Sequence, residues 1–568
     1  MKSPSKSIVD RRIYQFTLFL GPITTLLISP WTNYDPINLI KILFVSTIAF
    51  GLIGLIISNT KSLKQKISRP LIFISAGFLF FLFLPLITTS APISQQFWGM
   101  QGRNTGILAY TSLTFVLIGA SLIQDLSKFR SILNGLILAA VFNTLYCIIQ
   151  IAKIDPIKWS EYQPFGTLGN VNFLSSFLGM TCLVCSILAF EEKLQFSRKF
   201  LLMLLVLIDL LIIIKTQSIQ GLMIYFAGGG IALFIFILKR FKNLFINLLV
   251  ATLGSLGFIL TVAALVNKGP LKSLIFQRSI EFRGDYIHAG WAMSVAHPLT
   301  GIGVDSYGDW YRYSRGLLST IRTGPDRVAN TSHNIFLDIS SSGGFVLLAF
   351  YLGFLFLAFR KAFLHIRNTE KFDFLAVAIF SAWLAYQIQA CISINQVGVG
   401  IWNWILTGLL IGYPLQEVET KEKNMIRKPG IENKKIKNRD KGSLTLNPGV
   451  SVITIALSVI GFLLALIPWK ADADFRTALD TRDLNKIVKA TDLPGITAFH
   501  YGIAIDAAIQ NNFGEQAYSL DKELIKRFPR DYYGWRVLSI LSSATESERE
   551  LAKNKLQELD PFNPTTKK

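Results

Sequence analysis

The chain has 568 residues, of which 51% are hydrophobic and 43 are Phe, and its formal net charge is +21. That apolar share excludes an ordinary soluble globule, and the continuously apolar runs exclude the alternating pattern of a membrane β-barrel. The charge is not a nucleic-acid signature. Most Lys and Arg fall in short loops between apolar runs, where they act as orientation signals and anionic-lipid contacts.

Runs close to the roughly 20 residues that a bilayer core demands recur along the chain. They predict spans near 13–29, 38–58, 71–89, 106–123, 132–152, 171–190, 200–215, 219–238, 244–265, 334–359, 373–392, 399–415 and 449–468. The expected fold is all-α and polytopic, with about 12–13 transmembrane helices, a long outer-face loop and a small C-terminal helical-repeat domain. The first run lacks a small-residue cleavage site and is read as a retained span. All four cysteines lie in apolar runs, and Cys182 and Cys185, despite their CxxC spacing, read as small residues at helix contacts.

Basic clusters at Lys2, Lys6, Arg11 and Arg12, at Lys61, Lys64, Lys66 and Arg69, at Lys128 and Arg130, at Lys193, Arg198 and Lys199, at Lys239, Arg240 and Lys242, and at Arg360, Lys361 and Arg367 occupy alternate loops. One orientation therefore places all of them, and the N-terminus, in the cytoplasm. N-terminal helices occupy 1–89 and a transmembrane core 90–415, which contains the outer loop 267–333. A basic linker, 416–448, lies inside. The last span, 449–468, carries the tail 470–568 outside. In the tail, 499–520, 531–543 and 546–559 show helical periodicity, and the 531–538 and 559–564 segments resemble tetratricopeptide helix pairs. About two such units fit, so the tail is expected to dock on the membrane domain or recruit a protein partner.

Four polar constellations interrupt the apolar runs, each predicted on the outer face. In Phe97–Gly106, Arg103 stands between glycines at a helix start, where a guanidinium and helix N-terminus suit a phosphate. In Pro164–Phe173, Asn170 and Asn172 offer a cap and amide groups to a polar ligand. The turn Lys215–Gly221 presents Gln217 and Gln220 as a site floor or tight turn. The long loop holds Arg278, Arg283, Arg312, Arg315, Arg322, Arg327, His288, His297 and His333. Arg312 and Arg315, three apart, share a helical face. Cations gathered where basic residues are normally scarce imply an anionic ligand. His333, followed by Asn334 at the mouth of the next helix, suits proton transfer near neutral pH. Carboxylates are few and scattered, so neither a metal nor another cofactor is expected.

Together these motifs resemble the O-antigen ligase and polymerase superfamily of bacterial integral-membrane glycosyltransferases. The resemblance covers roughly 90–415. Thr331-Ser-His333-Asn334-x-Phe336-Leu337, closed by Gly343-Gly344, is similar to the family's histidine motif. Arg283-Gly-Asp-Tyr followed by His297-Pro298-Leu299-Thr-Gly301-x-Gly303 is similar to its arginine-to-proline-glycine segment. Gly166–Asn172 and Gly102–Gly106 resemble its upstream outer loops. The resemblance implies a bacterial cytoplasmic (inner) membrane protein that moves a glycan from undecaprenyl pyrophosphate to a hydroxyl of a sugar, lipid-linked glycan or protein, building surface polysaccharide. It implies that His333 is catalytic and that Arg283 binds donor pyrophosphate. Many ligases carry Ser-Arg-Gly where this chain reads Gln217-Ser-Ile-Gln220-Gly221, so Arg103, Arg312 or Arg315 is expected to supply the second cation. Asn170, Asn172, Asn334, Gln217 and Gln220 are the expected groove residues. The alternatives are a carrier of a small anion such as bicarbonate and a protein O-glycosylating oligosaccharyltransferase.

Overall fold

The computed structural model describes residues 8–58, 67–159, 163–241, 243–276, 278–414 and 446–564. Lys2, Lys6, Lys61, Lys64, Lys66, Lys242 and nearly all of the basic linker lie outside the described residues. Described residues form helices and turns without strands. Each expected span has a helical counterpart: Ile8–Leu26, Asn38–Ser58, Arg69–Phe83, Ile107–Ser121, Leu126–Ile151, Val171–Ala189, Phe196–Lys215, Gln220–Arg240, Leu244–Leu265, Ile335–Asn368, Phe374–Ala390, Val397–Gly412 and Pro448–Thr481. Among the described residues, 8 helices are long and apolar enough to cross a membrane on those grounds alone. Ile107–Ser121, Phe374–Ala390 and Val397–Gly412 are shorter and almost wholly buried, so they form the centre of the bundle.

Local chemistry sets the helix starts. The side chains of Asp125, Asn170, Asn243, Asn334, Asp373, Gln396 and Asn447 each accept a hydrogen bond from a first-turn N–H. Glycines set the closest helix contacts. A Cβ on Gly54 would lie 2.7 Å from the Thr454 backbone, and one on Gly461 would lie 2.4 Å from the Ser46 carbonyl, so Asn38–Ser58 and Pro448–Thr481 touch through their backbones. Leu244–Leu265 is the opposite case. Its central apolar residues are unburied, with Phe245, Leu249, Leu253 and Phe258 exposed. Such a helix is stable only where lipid replaces water.

The bundle has two distinct ends. At one end, Arg130 pairs with Glu191 at 2.7 Å and Lys239 donates to the Thr369 carbonyl at 2.6 Å, which brings several basic loops together. At the other end, Asn38 Nδ2 donates to the Gly102 carbonyl at 2.8 Å and Arg476 donates to the Pro30 and Asn33 carbonyls at 2.6 and 2.7 Å. The 267–333 loop and the tail share this second end.

Pro448–Thr481 runs well past the expected span end and delivers the chain directly into the tail. There the expected 499–520 helix is two helices, Ala498–Gln510 and Gly514–Arg527, divided where Asn512 adopts a left-handed φ of 62°. The 531–543 segment is helical only over Tyr532–Leu538, and the last helix is Glu546–Leu559. The tail has its own core, built on Phe475, Tyr501, Leu524 and Leu538.

Candidate active site

The site is organised by a break in the helix Ile335–Asn368. Gly343 and Gly344 leave helical geometry, with Gly344 at φ 81° and ψ 173°. The segment after the loop helix Arg278–Ala296 fills the gap. Ile302 N donates to the Ser341 carbonyl at 2.8 Å, Gly303 N to the Ser342 carbonyl at 3.2 Å, and Phe345 N to the Pro298 carbonyl at 2.7 Å. The polar backbone groups freed by the break are thus satisfied by the His297–Gly303 segment. The approach requires glycine on both sides. A Cβ on Gly301 would lie 2.3 Å from the Ser342 backbone, and one on Gly344 would lie 2.4 Å from the Leu299 carbonyl carbon. The two glycine motifs seen separately in the sequence are halves of one joint.

The half-helix that begins at Ile335 presents His333. Asn334 caps it by accepting from Leu337 N at 3.1 Å, and its amide donates to the Cys391 carbonyl at 3.0 Å. Asp338, one turn in, accepts from Thr331 Oγ1 at 2.6 Å and from Ser332 N and Oγ at 2.8 Å each. These bonds clamp the Thr331–Asn334 turn and hold His333 at a left-handed φ of 54°. The imidazole stacks on Tyr286, ring centroids 5.3 Å apart. Neither ring nitrogen has a hydrogen-bond partner among the described residues. Burial lowers its pKa to about 4, helped by the charges of Arg283 and Arg103. Both guanidiniums therefore stand close enough to act on the ring.

The two arginines differ in what else they hold. Arg103 is buried and ion-paired with Asp305, whose carboxylate also accepts from Met100 N at 2.8 Å and Thr105 N at 3.3 Å. Asp305 thereby ties the 97–106 loop to the long loop. Arg103 and Asp338 also line one small space of ≈ 10 Å³, with Tyr110, Tyr307 and Asn395. Arg283 has no ion pair or hydrogen bond among the described residues, although burial pushes its pKa down. A half-buried cation without a protein counter-ion is a natural seat for an anion.

Arg312 and Arg315 do share a face, but that face meets the tail. They reach Asp560 at 3.0 and 2.6 Å, and both donate to the Pro325 carbonyl. Arg312 also covers the Tyr532 ring at 3.9 Å. Arg322 is taken up by Glu281 and Asp285, and Arg327 lies over Phe282. The structure brings His333, Arg283 and Arg103 together, commits Arg312 and Arg315 to the tail, and holds Arg322 and Arg327 against the helix that carries Arg283.

The amide residues line a neighbouring corner. Asn170 accepts from Asn172 N at 2.8 Å, and Asn172 Oδ1 accepts from Ser218 Oγ at 2.7 Å. Gln217, at φ 57°, accepts from Gln163 at 2.9 Å. Gln220 accepts from Ser176 at 3.2 Å and from Gln389 at 3.3 Å. The corner joins the histidine turn at the end of Phe374–Ala390, where Gln389 meets Gln220 and Cys391 meets Asn334. Sequence reasoning gave Tyr286, Asp305 and Asp338 no role at this site. One signal was available for Asp338: a carboxylate in the first turn of an apolar span needs a polar reason to be there.

Fold and site define a polytopic, all-α membrane protein with an arginine–histidine cluster built where a loop locks into a broken helix. The chain carries an O-antigen ligase domain, since residues 201–352 match the family described as O-antigen ligase. That match supports the resemblance to the O-antigen ligase superfamily drawn from the motifs, and with it a role in glycan transfer at a membrane in general. The match runs from the amide turn through Arg283 and His333 to the glycine joint. No curated protein matches the chain.

Proposed function

We propose that the protein transfers a glycan from an undecaprenyl-pyrophosphate donor to a hydroxyl acceptor at the outer face of the bacterial cytoplasmic membrane. One observation carries this reading: Arg283, half-buried and without a counter-ion among the described residues, stands near an imidazole whose two nitrogens have no partner among those residues. A diphosphate supplies the missing anion. As the glycosidic bond breaks, negative charge gathers on the leaving pyrophosphate, and guanidiniums already in place stabilise it without reorganising. Arg283 takes the main contact. Arg103 takes the second, standing in for the arginine that the Gln217–Gly221 turn lacks, while Arg312 and Arg315 hold the tail.

His333 accepts the acceptor hydroxyl's proton as its oxygen attacks the anomeric carbon. In this arrangement the ring is a weak base, because burial and two cations oppose its charging. Donor binding brings negative charge to those cations and raises the base strength when it is needed. Asp338 keeps the turn in shape. Asn170, Asn172, Asn334, Gln217 and Gln220 offer amides to the sugars. The tail's consecutive helices pack against one another, which supports the tetratricopeptide reading. The small-anion carrier draws less support, because the backbone groups at the helix break are taken up by the His297–Gly303 segment.

The test is transfer in vitro from a defined undecaprenyl-pyrophosphate glycan, with products identified by mass. His333→Ala is expected to cost about 10²–10⁴-fold in kcat, and Arg283→Ala about 10²–10³-fold. Both variants should still reach the membrane. Undiminished transfer in both would overturn the assignment.

A further inference from the structure

A cavity of ≈ 560 Å³ lies between the tail and the membrane bundle, outside the arginine–histidine cluster. That size falls within the roughly 300–1,000 Å³ of small-ligand sites. Trp98 forms one wall, and Phe499 and Tyr533 of the tail form the other. Three carboxyls, Asp309, Asp506 and Asp531, reach it, but no Lys or Arg among the described residues does. An anionic diphosphate is therefore the wrong ligand for this space.

Its inner wall contains an unmet polar group. Asn104, 2% exposed and at a left-handed φ of 55°, has a buried side-chain oxygen without a hydrogen-bond partner among the described residues. Asp309 accepts from Gln95 at 2.7 Å, and burial pushes its carboxyl up to about 7, so near neutrality it can donate as well as accept. Aromatic faces, carboxyls and amides without cations suit an uncharged polyhydroxyl chain, whose C–H faces stack on rings and whose hydroxyls need both donors and acceptors. Asn104 follows Arg103 directly, and Asn330, also in the wall, precedes the His333 turn. The cavity thus backs onto both segments that carry the chemistry.

We propose that this cavity is a subsite for neutral sugar units, closed on one side by the tail and holding glycan beyond the residue that reacts. It rests on the glycan-transfer reading for its purpose, but not for its chemistry.

The test uses the full-length protein in lipid nanodiscs. The probe is the neutral oligosaccharide fraction released by mild acid from the producing cell's own surface polysaccharide, with binding followed by saturation-transfer NMR. Phe499→Ala and Asp506→Asn change exposed tail side chains and should leave thermal unfolding unchanged. Each is expected to weaken sugar binding about ten-fold, while His333→Ala leaves it intact. In the transfer assay the same two variants should raise KM with kcat preserved. A rise for the acceptor assigns the subsite to it, and a rise for the donor assigns it to the transferred chain. Binding without any transfer by the wild-type protein would keep the subsite and sink the glycan-transfer reading. Absence of binding, or binding and KM untouched by both variants, would overturn the subsite.

Discussion

At the scale of single residues, His333 carries the clearest pH signature. Its folded-state pKa of about 4 lies below the ordinary 6.5, first through burial and then through Arg283 and Arg103. The imidazole is therefore neutral, and able to accept a proton, across the neutral range. We expect the acid limb of kcat/KM, which reports the free enzyme, to fall near pH 4, and that of kcat to lie higher, because bound pyrophosphate offsets the cations. Removing one cation isolates its contribution. In Arg283→Met the His333 ring, followed by NMR titration, should move upward from about 4 but stop short of 6.5, since burial remains. An unchanged or lower value would show that the guanidinium does not act on the ring. The linkage to stability has the same origin. An unfolded imidazole takes a proton below 6.5 that the folded one refuses until about 4, so the fold loses stability as pH falls through that window.

Among structural elements, the joint between His297–Gly303 and the broken helix decides whether the cluster forms. Gly344 occupies backbone space that is essentially closed to other residues, and any Cβ there meets Leu299. Gly344→Ala should therefore cost at least about 1–3 kcal/mol in strain alone. It should also release the Pro298 segment, lowering both the unfolding temperature and the transfer rate. Gly254→Ala, in the lipid-facing helix with open space around it, should do neither. Near-wild-type behaviour of Gly344→Ala would mean that the joint is dispensable. The sequence carried much of this scale. Each long apolar run became a helix because length and hydropathy are local properties, and His333 and Arg283 were legible because their neighbours repeat a known order. The approaches of Gly301 to Ser342 and of Gly344 to Leu299 were not legible, since they join segments about forty residues apart through backbone alone. The same limit hid Asp305 and Tyr286, whose partners are distant in the chain. Arg312 and Arg315 show the converse: their shared face was readable, but its partner, Asp560, lies in a different part of the molecule.

Over the whole molecule, the tail is held against the long loop chiefly by charge. Arg315 and Asp560 are fully buried, and Arg312 joins them. Removing the carboxylate strands two guanidiniums, and breaking such a buried pair typically costs about 3–5 kcal/mol. Asp560→Asn should loosen the tail from the loop, seen as faster hydrogen exchange in 307–327 and earlier proteolysis within 484–559. The membrane helices should keep their protection. Equal protection in variant and wild type would show that other contacts, such as Arg530 over Trp310 at 3.6 Å, suffice. A second anchor lies deeper. Asp472 accepts from His500 at 3.1 Å and from Gln101 at 2.8 Å, and it also binds Asp35 N at 3.0 Å. One carboxylate thus gathers the last membrane helix, the tail and two loops of the bundle.

The unburied helix Leu244–Leu265 has a consequence of its own. It touches the bundle lightly, and only a short connector separates it from the helix that bears Arg283. A tilt or stretch imposed on this rod by the surrounding acyl chains would reach the helix that carries Arg283 through that connector. The bilayer then becomes one of the surfaces that set where the Arg283 helix lies.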